Sequence, residues 1–138
     1  MDADRYIRIV RLSAFYDLVV TAAFVTPASF AVLHWVVWTI DSNLGLPGIV
    51  PAPDPLTVLL GNLLGSVVVV WSLARLHLGQ PILGRYDAVA RLLFALWQIY
   101  AMASGVSLVI LPLTVFEILF GVLQAMPVRK PPIATVAA

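Results

Sequence analysis

LTVLLGNLLGSVVVVWSLARLHL, residues 56–78, contains no acidic residue, and its one arginine, Arg75, stands close to its end. As an α-helix it is about 34 Å long at 1.5 Å per residue, enough to cross a hydrocarbon core of about 30 Å. It is entered from Asp54-Pro55, an acid suited to the helix cap followed by a proline suited to the first turn. The segment that follows, His77 to Asp87, carries Gly79, Pro81 and Gly84 and reads as a turn. Asp87 then serves as the cap of a helix beginning at Ala88.

The rest of the chain has the same character. It has 138 residues, 62% hydrophobic and 11% charged, with a mean hydropathy of +1.01. Soluble domains carry about 25% charged residues, and a soluble fold this small has too little interior to hide so much apolar surface. Three further apolar stretches have spanning length: 12–40, 88–104 and 106–126. The first follows Arg5, Arg8 and Arg11 and resembles a signal peptide in outline. It continues to Ile40, however, which predicts a retained helix rather than a cleaved leader. The last two are divided at Ala103-Ser104-Gly105, which leaves Pro112 as a kink within the fourth helix. Residues 41–55, with prolines at 47, 51, 53 and 55, form a loop stiffened toward polyproline geometry.

These readings give an all-α integral membrane protein of one domain: four transmembrane helices in an up-down-up-down antiparallel bundle. Orientation follows from the bases. All eight lysines and arginines (Arg5, Arg8, Arg11, Arg75, Arg85, Arg91, Arg129, Lys130) fall on one side of that topology, while the 41–55 loop has two acids and no base. The positive-inside rule places both termini in the cytoplasm, in a bacterial inner (plasma) membrane. The basic side would meet anionic lipid headgroups, which accounts for the positive charge without a nucleic-acid partner. With no cysteine in the chain, disulfides, thiol catalysis and iron–sulfur ligation are excluded. His34 and His77 belong at opposite membrane faces, so no metal site is expected, and no cofactor.

Glu117 is the residue most in need of an account, because an acid near the middle of a membrane helix is a functional-site hypothesis by default. Thr114, Glu117, Gly121 and Gln124 recur at spacings of three and four and share one helical face. Gln98, at a similar depth on the third helix, is its expected partner, with Tyr100 as a further hydroxyl. Asp17 lies on the inner half of the first helix, where Arg91 or Arg75 can pair with it. His34, Asn62 and Ser66 form a second polar group in the outer half, with a His34–Asn62 hydrogen bond if the helices meet and Ser66 bonded back to its own helix. The Gly61–Gly65 step permits close helix approach or a homo-oligomer contact.

Three functions are compatible with this pattern. The leading one is binding or conversion of a hydrophobic small molecule in a polar pocket around Glu117. The second is a non-catalytic subunit or assembly factor of a larger membrane complex. The third is a proton-coupled small transporter. The smallest proton-coupled multidrug exporters also have four short helices and a membrane glutamate, but their essential acid lies in the first helix, not the fourth.

Overall fold

The computed structural model describes residues 1–128, and within them the chain is helical without named strands. Arg129 and Lys130, two of the eight bases, and the C-terminus lie outside the described residues. Asp2 opens α1 (Ala3–Thr21) by accepting from the backbone N–H groups of Asp4 and Arg5 at 2.9 and 3.1 Å. A 3-10 turn, Ala22–Phe24, follows, and α2 occupies Pro27–Leu44. The axes on either side of the break are 102° apart.

This corrects the expected continuous helix over 12–40. Thr26 precedes a proline, which disfavours helical backbone at that position, and it is extended at φ −125° and ψ 153°. Thr26 and Ser29 then complete a reciprocal capping box that starts a new helix. The apolar composition is continuous across the break, so hydropathy conceals it. Because α2 runs to Leu44 and ends on Gly45 at φ 57°, the expected 41–55 loop is also shorter.

α3 (Pro55–Leu78) agrees with the expected 56–78 span and is capped by Asp54, which accepts from the Thr57 N–H at 2.6 Å. α4 (Pro81–Ala103) begins seven residues before the expected start at 88. Pro81 sits in its first turn, and Gly84 lies against α1, where an added Cβ would come within 2.5 Å of Val10 and 2.7 Å of the Tyr6 hydroxyl. Gly84 is therefore a packing residue, and Asp87 is mid-helix rather than a cap. The turn after α4 falls where expected, with Gly105 at φ 101°. A 3-10 turn at Leu108–Ile110 then leads into α5 (Leu111–Ala125), whose first turn contains Pro112. Pro112 is thus a helix starter, not a kink.

α1 packs on α3, α4 packs on α5, and α1 joins the two pairs. The loop after α2 is tied to the α4–α5 turn. The Ile49 N–H donates to the Gly105 carbonyl at 3.0 Å, and the Ser107 N–H donates to the Ile49 carbonyl at 2.9 Å. Two helices, Pro55–Leu78 and Leu108–Ala125, are long and apolar enough to cross a membrane, and the bent pair Ala3–Leu44 makes a third. α4 is as long but carries Arg85, Asp87, Arg91 and Gln98.

The distribution of side chains is inverted relative to a soluble domain. Leucines, valines and tryptophans cover the outside, while Arg75, Arg91, Asp87, Ser13, Ser72 and Gln124 are buried. Lipid as solvent makes this arrangement favourable, since it leaves apolar groups outside and requires polar groups to satisfy one another.

Candidate functional site: a buried ion-pair network

Each of four helices contributes one polar stripe. On α1 the buried residues are Tyr6, Val10, Ser13, Ala14 and Asp17; on α3 they are Gly65, Ser72 and Arg75. On α4 they are Gly84, Asp87, Arg91 and Ala95, and on α5 Thr114, Glu117, Phe120 and Gln124. Spacings of three, four and seven put each set on one helical face. The stripes converge near the end of the bundle where α3 turns into α4.

Arg91 is the hub. Its Nε donates to Asp87 Oδ2 at 2.9 Å, one terminal nitrogen to Glu117 Oε2 at 2.9 Å, and the other to Asp17 Oδ2 at 2.6 Å. Arg75 donates to Asp17 Oδ2 and lies 2.5 Å from Asp87 Oδ2, so both aspartates are shared by both guanidiniums. Ser13 and Ser72 accept further donors from Arg75 at 3.3 and 3.1 Å, and Trp71 Nε1 donates to Asp87 Oδ1 at 3.0 Å. Toward the end of the bundle the network continues through Gln124, whose amide donates to Ser13. The last carbonyls of α5 are closed by Tyr6 and Arg85. The Tyr6 hydroxyl donates to Gln124 O at 2.8 Å, and Arg85 donates to the carbonyls of Gln124, Ala125 and Met126 at 3.0, 2.7 and 2.8 Å.

Three carboxylates face two guanidiniums, so the fully ionised cluster carries one excess negative charge. The members differ in access. The Asp17 and Glu117 side chains are each 11% exposed, against 0 and 2% for Arg75 and Arg91. Among the described residues, Asp17 Oδ1 and Glu117 Oε1 receive no protein donor, whereas Asp87 Oδ1 is held by Trp71. Beside them is an aromatic cluster in which Tyr16 lies 4.9 Å from Phe116 and 5.6 Å from Phe120, ring to ring. The Arg91 guanidinium sits 5.1 Å from the Phe120 ring, within cation–π range. The Tyr16 hydroxyl is buried without a partner.

Asp17, Arg91, Glu117 and Gln124 therefore come together, as does Arg75, which the sequence offers as an alternative partner of Asp17. Gln98 does not: Arg91 takes the place expected for it beside Glu117, and the Gln98 Oε1 is buried without a partner. Tyr100 is 64% exposed and packs edge-on against Trp97. The outer group disperses as well. His34 Nε2 bonds the Pro51 carbonyl at 2.9 Å, Asn62 donates to the Phe24 carbonyl at 2.6 Å, and Ser66 donates to the Asn62 carbonyl at 2.8 Å. Asp87, Ser13, Ser72 and Trp71 are network members that sequence reasoning missed. The Gly84-Asp87-Arg91-Ala95 spacing carried the signal for Asp87, masked by reading Pro81 and Gly84 as a turn.

No group of three or more histidine, cysteine or acidic side chains suited to a metal ion occurs among the described residues. Comparison with known proteins gives no match to a protein family, to a curated sequence or to a solved structure.

Proposed function

We propose that the protein crosses a bacterial inner membrane four times, through α1, α3, α4 and α5, with both termini cytoplasmic, and that it binds the polar head of a hydrophobic small molecule at Asp17 and Glu117. The orientation is supported by exposed Arg5, Arg8 and Arg11 at the network end of the bundle, and by the lack of any lysine or arginine between Arg11 and Arg75.

The observation that carries the binding reading is the pair of carboxylate oxygens, Asp17 Oδ1 and Glu117 Oε1, that lack a protein donor beside the Tyr16–Phe116–Phe120 cluster. Two acceptors in a site of net negative charge suit a hydroxyl or amine donor and repel an anion. The aromatic rings suit an apolar body, and access is from the lipid between α1 and α5. A photoactivatable long-chain alcohol in proteoliposomes should label α1 and α5 around Tyr16, while a fatty acid of equal length should not. Glu117→Gln should weaken alcohol labelling about tenfold, the equivalent of one lost hydrogen bond of about 1.4 kcal/mol, and Tyr100→Phe should leave it unchanged. Equal labelling by both probes in every variant would reduce the site to ordinary lipid contact.

The subunit reading draws on a different place, an apolar groove of about 420 Å³ on α3 lined by Ser66, Val67, Val70, Trp71 and Ala74. Proton-coupled transport draws less support, because the ionisable network is gathered toward one end of the bundle rather than spread along it.

A further inference from the structure

We infer that α2 is not a span but a helix lying in the plane of the outer membrane interface, with the lipid carbonyl and headgroup layer as its partner. The inference rests on the reading that α1, α3, α4 and α5 cross the bilayer. Both ends of α2 are fixed at the level of the outer span ends. At its start, Phe24 lies against Gly65 and Phe30 against Gly61, where an added Cβ would come within 2.5 and 2.7 Å of them, and Asn62 holds the Phe24 carbonyl. At its far end, the Asp41 carboxylate accepts from the Ser107 hydroxyl in the α4–α5 turn. Together with the 102° bend, these ties lay the helix across the end of the bundle away from the ion network.

Its surface fits that layer. Only Phe30 is buried, while Trp35 and Trp38 are 62 and 51% exposed. Tryptophan concentrates at the membrane–water boundary, where its ring meets lipid and its N–H meets water. His34, Asp41, Ser42 and Asn43 add polar groups along the same helix, and neither α2 nor the loop to Asp54 contains a base.

The absence of cysteine from the chain allows a direct depth measurement. Single nitroxide labels at exposed Val32→Cys, Val36→Cys and Ile40→Cys, in vesicles of phosphatidylcholine and phosphatidylglycerol, should report one shared, shallow depth by oxygen and nickel-chelate accessibility. Labels at Leu59→Cys, Leu63→Cys and Val67→Cys on α3 are the control. Their depth should change by about 6 Å at each step of four residues along a crossing helix. The same steps along α2 would overturn the inference. So would full water accessibility at all three α2 positions, or spin–spin broadening abolished by unlabelled protein, which would place a second copy there. If the α3 labels themselves show no immersion, the membrane-crossing reading fails instead.

Discussion

At the scale of single residues, the three acids of the network are not equivalent. Asp17 and Asp87 each bridge both guanidiniums, while Glu117 touches Arg91 alone. Glu117→Gln leaves two carboxylates against two guanidiniums, so it should be well tolerated in thermal unfolding in detergent. Asp87→Asn removes an acceptor shared by both arginines and frees Trp71 Nε1. It should destabilise by about 3–5 kcal/mol, the usual range for breaking a buried ion pair from one side. Equal losses for the two variants would contradict this division. Asp17→Asn should likewise cost less in an Arg91→Gln background than alone, and strict additivity in the cycle would mean that the pair does not couple. Asp54 gives a prediction of opposite character. The Thr57 N–H holds its carboxyl below the ordinary aspartate range. Its contribution to the start of α3 is therefore complete above that range and lost as pH falls through the lowered value. Amide exchange in the first turn of α3 should speed up in acid, and Asp54→Ala should remove that pH dependence.

At the scale of elements, the bend before α2 is clamped rather than hinged. An added Cβ at Gly65 would meet Phe24 Cβ at 2.5 Å and its backbone carbonyl carbon at 2.9 Å, and backbone cannot swing aside as a side chain can. Gly65→Val should destabilise by about 1–3 kcal/mol as an overpacked contact. A valine at Val67, on the exposed side of the same helix, replaced by leucine should be neutral in the same unfolding assay. Elements also show how far the sequence could be read. α3 was legible to within a residue, because Asp54-Pro55 and Gly79 mark its ends chemically. The turn at 103–105 was legible from its small residues. The break at Thr26 was not, since apolar residues flank it and the capping box that creates it involves two hydroxyls easily read as incidental. The early start of α4 was hidden in the same way: Gly84 looks like a turn residue until Tyr6 and Val10 are seen to need its missing side chain.

At the scale of the whole molecule, charge in the sequence had two meanings that composition alone could not separate. Arg5, Arg8 and Arg11 are exposed and bear on orientation, whereas Arg75 and Arg91 are buried and Arg85 closes the end of α5. Neutralising Arg5, Arg8 and Arg11 together should weaken the orientation of insertion while leaving the network intact. An impermeant thiol reagent applied to intact cells should reach Ala52→Cys and not Arg5→Cys. Labelling of Arg5→Cys alone would reverse the proposed topology. Ala52 is the better outer probe than Gly48, whose backbone packs directly on Ser107. The site was legible in Glu117, Asp17 and Arg91 as individual oddities. Their union was not, because it depends on which helices become neighbours: Asp17 meets Arg75 across 58 residues of chain and Arg91 across 74.

Those separations bear on how the protein is made. As synthesis proceeds from the N-terminus, the carboxylate on α1 emerges well before either arginine that answers it, and α4 delivers its ion pair before Glu117 exists. A lone helix carrying an aspartate pays about 3 kcal/mol to enter lipid on translocon scales. α1 therefore waits at the translocon or the headgroup layer until α3 arrives, and the helices enter the bilayer as partnered sets. A nascent chain stalled after Asp54 should be extracted from membranes by alkaline carbonate, and one extended through Leu78 should resist it.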